Sequence, residues 1–306
     1  MAWARARWIV DGPRTVRRPK VCPVKSINLG ISPTAGEPAG RPVLERLAVT
    51  LDPARPFLIS PPFGTYLRHT RAYSVLGSYT RFPRPGRLGQ VLRTVRPLGR
   101  EPGGEPKGWL NRVGLRNPGW DTCPVGHHDS SWSIISLAPL ETTDWDHLER
   151  WLDQRFHSPS IEINISCPNV DAHPELPDNA VLQRIIGGGA TIIFKLAPVS
   201  SSVTTACYLA DLGARYIHLS NTLPTPIGGI SGAALREANL PLIERIARVL
   251  EGAVEIIAGG GIYSPKHLHQ YHNAGASRFS LSTAWFWPPR ALRVMRHASD
   301  SDDRPE

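Results

Sequence analysis

The segment Ile163–Asn169, which reads Ile-Asn-Ile-Ser-Cys-Pro-Asn, holds the side chains best suited to chemistry in this 306-residue chain. The amides of Asn164 and Asn169 carry paired donors and acceptors that can bind the edge of a flat, amide-rich ligand. Cys167 is the only side chain of the segment suited to proton transfer or nucleophilic attack. The alternative interpretation is a strand followed by a Pro-Asn turn, in which Cys167 is a small buried hydrophobe.

Lys195 lies inside another apolar run, Ile192–Leu196. A buried ammonium group is costly unless it meets an anion or a ligand. Only five of the 35 basic residues are lysines, so Lys195 stands where Arg would be the usual choice in this chain. These observations indicate a ligand-binding cation; the alternative is a sheet-edge Lys whose ammonium reaches water.

Glycine-rich segments follow two further apolar runs. Asn221 and Thr222 precede the segment Pro226–Gly232, and the segment Gly259–Ile262 begins with three glycines. Glycines let backbone amides approach a ligand closely. The last apolar run leads into Ser282–Ala284, whose hydroxyl groups, with the glycine amides, suit a phosphate monoester. The alternatives are an ordinary glycine loop and a helix start capped by Ser or Thr.

The positions of these segments follow from the elements around them. Eight short apolar runs predict strands at Pro56–Ser60, Ala72–Gly77, Trp132–Ala138, Ser160–Ile165, Thr191–Leu196, Tyr216–Ser220, Val254–Ala258 and Arg278–Leu281. Helical patterns lie between the later runs, at Asp144–Phe156, Asp178–Ile186, Ser202–Leu212, Leu240–Leu250 and Pro265–Ala274. This alternation predicts a parallel α/β fold, and eight strands favour a (β/α)8 barrel, with its chemistry at the C-terminal strand ends.

The first half of the chain is less regular. Residues 63–71 have room for at most a very short helix, and residues 78–128 form a long Pro-, Gly- and Arg-rich segment after the second strand. A segment of that length at the C-terminal face of a barrel predicts a lid or a pocket wall. We therefore divide the chain into a loosely ordered arm, residues 1–50, a barrel, residues 51–298, and a flexible tail, residues 299–306.

Composition excludes several classes of function. The net charge of +9 comes mostly from scattered Arg residues with no aromatic-interleaved basic stripe, which favours an anionic small molecule over nucleic acid. The four Cys residues have neither a C-x-x-C pair nor metal-ligand spacing, so we expect no metal site and a reducing compartment. Without an apolar run of about 20 residues or a secretory signal, the sequence predicts a cytoplasmic protein that does not bind membranes. A homodimer is left open.

Together, and in this order, the motifs resemble the dihydroorotate dehydrogenase family in its class 1 form, which has Cys as the base. The likeness covers roughly residues 55–290 and rests on L-N-x-x-G-L-x-N-x-G at 110–119, N-x-S-C-P-N, the strand Lys, S-N-T with G-G-x-S-G, G-G-G-I and S-T-A. The resemblance implies an FMN-binding barrel that oxidises dihydroorotate to orotate in pyrimidine biosynthesis.

The resemblance also implies roles for individual residues. Cys167 would be the catalytic base. Lys195 would face the pyrimidine edge of the flavin. The other cofactor-binding residues would be Ser78, Gly228, Gly229, Gly260, Gly261, Ser282 and Thr283. The pyrimidine-like substrate would be held by Asn111, Asn164, Asn169, Asn221 and Thr222.

Two positions depart from the family pattern. Gly77 stands where the family usually has a Lys that contacts the flavin and the substrate carboxylate, and Ser282 stands where Gly is more common. Arg81 or Arg112 could supply the missing cation. The alternatives are a flavoenzyme of the same fold that acts on another cyclic amide or enone, and a catalytically silent FMN-binding homologue. The electron acceptor is left open.

Overall fold

Alternating apolar strands and amphipathic helices build the molecule. The computed structural model describes residues 50–86, 94–100, 104–112, 114–123, 132–154, 160–165, 175–219, 221–226 and 228–300. The strands are β1 Phe57–Ile59, β2 Ala72–Thr80, β3 Arg96–Pro97, β4 Gly108–Asn111, β5 Ser133–Ala138, β6 Ser160–Asn164, β7 Ile192–Leu196, β8 Tyr216–Leu219, β9 Leu223–Thr225, β10 Gly228–Gly232, β11 Glu255–Gly259 and β12 Arg278–Leu281. Of the expected arm, residues 1–50, all but the last residue lie outside the described residues.

Eight of these strands close into a barrel in the order β1-β12-β11-β8-β7-β6-β5-β2, and every neighbouring pair is parallel. All eight predicted strands are present, each within a few residues of its expected bounds. The predicted (β/α)8 barrel is therefore confirmed. Among the helices of the described residues, none has both the length and the hydropathy to cross a bilayer.

Five helices lie between consecutive barrel strands, a sixth follows β12, and each buries one face. They are α1 Thr143–Gln154, α2 Asn179–Gly187, α3 Ser201–Asp211, α4 Ala233–Leu250, α5 Pro265–Asn273 and α6 Pro288–Asp300. In α1 the buried residues Trp145, Leu148 and Trp151 recur at helical spacing. Only a three-residue 3-10 helix, Phe63–Thr65, separates β1 from β2, as the sequence predicted for the first connection.

Helix α4 begins earlier than its sequence pattern predicts. The pattern predicts a start at Leu240, just before Pro241, and Pro is favoured in the first turn of a helix. In the structure the helix begins at Ala233 and continues through Pro241. Its first turn packs beneath the turn after β11, where an ideal Cβ on Gly260 would lie 2.4 Å from Leu235. This tertiary contact outweighs the local preference of Pro for a helix start.

A second, four-stranded antiparallel sheet of order β3-β4-β10-β9 stands beside the barrel. The sequence predicted loops in both of its parts. Gly108 and Gly232 let β4 and β10 approach closely, because a Cβ on Gly108 would lie only 1.8 Å from the Ser231 carbonyl oxygen. The pairing joins segments more than a hundred residues apart, which is why local patterns do not reveal it.

The barrel interior is divided into an apolar and a polar layer. The apolar layer is fully buried and consists of Leu58, Val75, Ile134, Ile193 and Ile257. Two residues further along the same strands, and therefore on the same face, lie Ser60, Ser136 and Lys195. Because the strands are parallel, the polar residues all lie toward the C-terminal strand ends.

Glu105, in the segment before β4, ties that segment to α5 through His267. The His267 Nε2 atom lies 3.3 Å from a Glu105 carboxylate oxygen, and Nδ1 accepts a hydrogen bond from the Tyr263 amide at 3.2 Å. Arg236 of α4 lies 3.2 Å from the same Nδ1. Burial and the Arg236 charge lower the pKa of His267 to about 4 despite the opposing effect of Glu105. The ring is therefore neutral at neutral pH.

We expect this neutral ring to make the fold sensitive to acid. The unfolded chain protonates the histidine near its ordinary pKa of 6.5, whereas the folded chain does so only near 4. The free energy of unfolding is therefore retained above the higher value and falls as the pH drops toward the lower one. One such histidine contributes at most about 1.4 kcal/mol per pH unit. His267→Gln should make this dependence shallower in urea titrations between the two pH values.

His269→Gln is the matched control, because His269 lies on the exposed side of the same helix. For His269→Gln, the slope of the free energy of unfolding against pH should equal that of the unmodified protein. Equal slopes for both variants would show that His267 carries no such linkage.

Candidate active site

A buried carboxylate, Glu162 of β6, organises the polar layer. Its Oε1 atom lies 3.3 Å from Lys195 Nζ on β7 and accepts a hydrogen bond from Ser136 Oγ on β5 at 2.7 Å. Its Oε2 atom lies 2.7 Å from His218 Nδ1 on β8. The Glu162 and His218 side chains are at most 1% exposed and that of Lys195 is 9% exposed, so this is a dry cluster within the barrel.

Burial would raise the pKa of Glu162, but the Lys195 charge and the hydrogen bonds from His218 and Ser136 lower it to about 2. Burial and the Lys195 charge lower the pKa of His218, although Glu162 opposes this. His218 is therefore neutral and donates its Nδ1 proton to an ionised Glu162. Its Nε2 atom then carries a lone pair, is buried, and has no hydrogen-bond partner among the described residues.

A chain of hydrogen bonds connects this cluster to the rim of the barrel. Ser136 and Ser78 hydroxyl oxygens lie 2.7 Å apart, and Asn164 Nδ2 donates to Ser78 Oγ at 3.1 Å. Asn221 Nδ2 donates to Asn164 Oδ1 at 3.0 Å, and Asn221 Oδ1 accepts from the Thr222 amide. The structure thus brings together five residues that the sequence singled out: Ser78, Asn164, Lys195, Asn221 and Thr222.

Side chains bind three successive carbonyl oxygens in the turn after β11. The carbonyl oxygens of Gly259–Gly261 all accept hydrogen bonds from side chains: Asn239 and Tyr271 at the first, Tyr271 at the second and Arg236 at the third. In a planar trans peptide the N–H of the next residue points the opposite way. Three successive amides, those of residues 260–262, therefore point away from these side chains, an arrangement that suits an anion.

The loop after β12 meets this turn. The Thr283 hydroxyl lies 2.8 Å from the Tyr263 hydroxyl, which joins the two loops. The Ser282 hydroxyl donates to the Pro61 carbonyl oxygen at 3.2 Å, beyond the end of β1. Both residues lie at the C-terminal strand ends, where the sequence predicted them, and the Ser282 proton is used within the protein.

Gly228, Gly229 and Asn111 lie on the small sheet. Asn111 on β4 is in register with Gly229 on β10. A Cβ on Gly228 would lie 2.6 Å from the Asn111 carbonyl oxygen and 2.7 Å from Arg112 Cγ. Because β9 begins directly after Thr222, this sheet extends from the end of β8.

Cys167 and Asn169 lie outside the described residues. The described chain leaves β6 through Ile165, whose amide donates to the Lys195 carbonyl oxygen at 3.2 Å. Ile165, the last described residue before Cys167, therefore lies at the barrel rim beside β7.

Gly77 cannot be replaced by a larger residue without a backbone shift. Its φ of +106° lies in the region that favours glycine, and a Cβ would lie 2.7 Å from both the Ser136 carbonyl oxygen and a Tyr79 ring carbon. Of the two arginines that could supply the missing cation, Arg81 pairs with Asp144 at 3.5 Å and stacks on Phe82.

Sequence reasoning missed Glu162, His218 and Ser136. The signal was available for Glu162, which interrupts the apolar strand Ser160–Asn164 as Lys195 interrupts its own strand. Two oppositely charged residues inside predicted neighbouring strands would have indicated a buried pair.

Comparison with known proteins gives a consistent result. The family model described as dihydroorotate dehydrogenase matches residues 76–296. Catalytic subunits named dihydroorotate dehydrogenase B (NAD(+)) are similar: the Streptococcus pneumoniae protein is 29% identical over 219 residues, covering 61% of this chain and 69% of that protein. The Geobacillus kaustophilus protein is 29% identical over 213 residues, covering 60% and 67%.

Solved structures share the fold. The Eimeria tenella enzyme DHODH in complex with ferulenol aligns with a TM-score of 0.58 at 16% identity, over 82% of this chain and 86% of that one. Its ligand-free structure aligns with a TM-score of 0.56 at 19% identity, over 76% and 82%. With the family match, the barrel and the polar layer at its C-terminal end, this chain belongs to the dihydroorotate dehydrogenase family of oxidoreductases, which act on CH–CH groups.

Proposed function

We propose that this chain is an FMN-dependent enzyme that oxidises dihydroorotate to orotate. The observation that carries the proposal is the continuous hydrogen-bonded chain from Lys195 to Asn221, which passes through Glu162, Ser136, Ser78 and Asn164. It places a cation and amide groups, which suit a flavin edge and a pyrimidine edge, side by side at the catalytic end of the barrel.

The residues present fit FMN. The amides of residues 260–262 would hold the phosphate with Thr283, and Ser282 would contribute its backbone, since its hydroxyl binds Pro61. Lys195 and Ser78 would face the ring, and Gly228 and Gly229 would border it. The buried Thr222 hydroxyl has no hydrogen-bond partner among the described residues, which supports a ligand beside it. FMN, when bound, supplies the hydride acceptor.

The protein's own chemistry is proton transfer and alignment. Oxidation of dihydroorotate removes a proton from C5 and a hydride from C6, which leaves the C5=C6 double bond of orotate. Cys167 would take the C5 proton as a thiolate. The substrate would be bound by the amide side chains of Asn111, Asn164, Asn169 and Asn221 and by Thr222. Their fixed donors and acceptors would orient the ring so that both hydrogens leave correctly.

One observation favours a second candidate substrate. The usual second-strand Lys is absent, and the backbone at Gly77 has no room for one. A dihydroorotate site still needs a cation for the carboxylate. Arg81 is used by Asp144, and Arg112 lies beside Gly228 at the small sheet, so we propose Arg112 for this role. If Arg112 does not act there, an uncharged cyclic amide becomes the better candidate.

The purified protein should bind one FMN per chain. The visible absorbance of that flavin should fall when dihydroorotate is added without oxygen. Cys167→Ala should keep the flavin but slow its reduction by about 10²–10⁴-fold, the usual range for general acid–base catalysis. Cys167→Ser should retain some activity with an optimum at higher pH, because a hydroxyl group is a weaker acid than a thiol. Anaerobic stopped-flow absorbance measures both rates.

Cys207→Ala serves as the control, because Cys207 lies in α3, away from the barrel rim. It should reduce flavin at the unmodified rate. A colourless protein that takes up no FMN at micromolar concentration would refute the proposal, and a Cys167→Ala variant with the unmodified rate would remove Cys167 from the mechanism.

Substrate choice should depend on Arg112. A hydrogen bond to a charged group contributes about 1.5–3 kcal/mol, so Arg112→Ala should lower kcat/KM for dihydroorotate by roughly 10- to 100-fold. The same change should leave dihydrouracil, which lacks the carboxylate, nearly unaffected. Arg116→Ala is the control, since Arg116 binds the Pro85 carbonyl oxygen. Faster flavin reduction by dihydrouracil than by dihydroorotate in the unmodified protein would favour the second candidate.

A further inference from the structure

The Glu162 carboxylate has no place in the proton transfer proposed above, yet three side chains of the polar layer bind it. Donors from three other strands converge on it: Ser136 from β5, Lys195 from β7 and His218 from β8. Each carboxylate oxygen has at least one donor, so the carboxylate is fixed in position. A group held this firmly beside a proposed flavin ligand can control that ligand.

We propose that Glu162 is a positioning residue that anchors the Lys195 ammonium at the flavin edge and offsets its charge, so that it sets the preference of the site for reduced over oxidised FMN. The inference rests on the proposed function, because it requires FMN to lie against Lys195. It assigns to Glu162 a role beyond neutralising a buried lysine.

The anchoring follows from the geometry of the pair. A Lys side chain has four rotatable bonds and a compact charge, so its position depends on what holds the ammonium. Here Nζ lies 3.3 Å from a carboxylate oxygen that Ser136 also binds. Lys195 has further contacts, but Glu162 is the negative charge that pairs with it among the described residues.

The charge balance determines the direction of the effect. The cluster holds one carboxylate, one ammonium group and a neutral histidine, so its net charge is zero. Reduced FMN carries a negative charge on its pyrimidine ring, which a nearby positive charge stabilises. Without the Glu162 charge the cluster becomes positive, and water in this buried site is too scarce to screen it. Neutral Gln at position 162 should therefore favour reduced FMN.

The experiment compares FMN affinities in the two redox states. Glu162→Gln keeps the size of the side chain and removes its charge. The dissociation constant of oxidised FMN follows from fluorescence titration, and the midpoint potential follows from anaerobic dye-linked reduction. The ratio of the oxidised to the reduced dissociation constant should rise about tenfold, which for a two-electron couple is about 30 mV.

Glu255→Gln is the matched control. Glu255 pairs with Arg278 at 2.8 Å, but at the first residues of β11 and β12, the opposite end of the barrel from the polar layer. The same chemical change there should leave the ratio unchanged. A purely structural role for Glu162 predicts lower stability with an unchanged ratio, which would overturn the inference.

A second pair of variants, the charge-balanced Lys195→Gln/Glu162→Gln and the single Lys195→Gln, covers the case in which Glu162→Gln alone does not fold. In Lys195→Gln the Glu162 carboxylate keeps its bonds to Ser136 and His218. Removing one partner leaves a buried charge unpaired, whereas removing both does not. The ratio should be higher in Lys195→Gln/Glu162→Gln than in Lys195→Gln, and equal ratios would overturn the inference. An unmodified protein that binds no FMN would instead refute the proposed function, so the two failures are distinguishable.

Discussion

A buried negative charge is the constraint on which the site depends. Glu162 has no exposed surface, so its ionised form persists only with partners from neighbouring strands. Those partners, Lys195, His218 and Ser136, fix the register and side-chain directions of β5 to β8 at one level of the barrel. Through Ser78 the hydrogen bonds continue to the side-chain amides of Asn164 and Asn221 at the rim. The need to stabilise one buried charge therefore positions side chains both inside the barrel and at its rim.

The barrel interior is separated into an apolar layer and a polar layer, and the charge of Glu162 lies in the polar layer. Side chains alternate along each strand, so Ile193 and Lys195 face the interior two residues apart. The apolar layer fills the N-terminal part at close packing, while the polar residues are collected at the C-terminal part. In a parallel barrel every connection after a strand also begins at that end. The glycine turn after β11 and the small sheet thus border the polar layer.

The two departures from the family pattern lie at the C-terminal ends of two barrel strands, Gly77 in β2 and Ser282 after β12. Gly77 changes the end of β2, where its positive φ and its contacts with β5 exclude a side chain. Lys195 and the glycine turn after β11, which we propose as cofactor ligands, match the family pattern. The chain keeps the family fold while its identity to these curated relatives is below a third.

The sequence by itself determined the barrel strands, most helix bounds and the residues that resemble the family motifs, because continuous apolar runs, caps and short motifs are local signals. Lys195 was found because a charge inside an apolar strand is costly wherever the strand lies. Tertiary structure decided the pairing of β4 with β10, the start of α4 at Ala233 and the partnership of Glu162 with His218. Each of these depends on contacts between segments distant in the chain, and such contacts exist only once the barrel has closed.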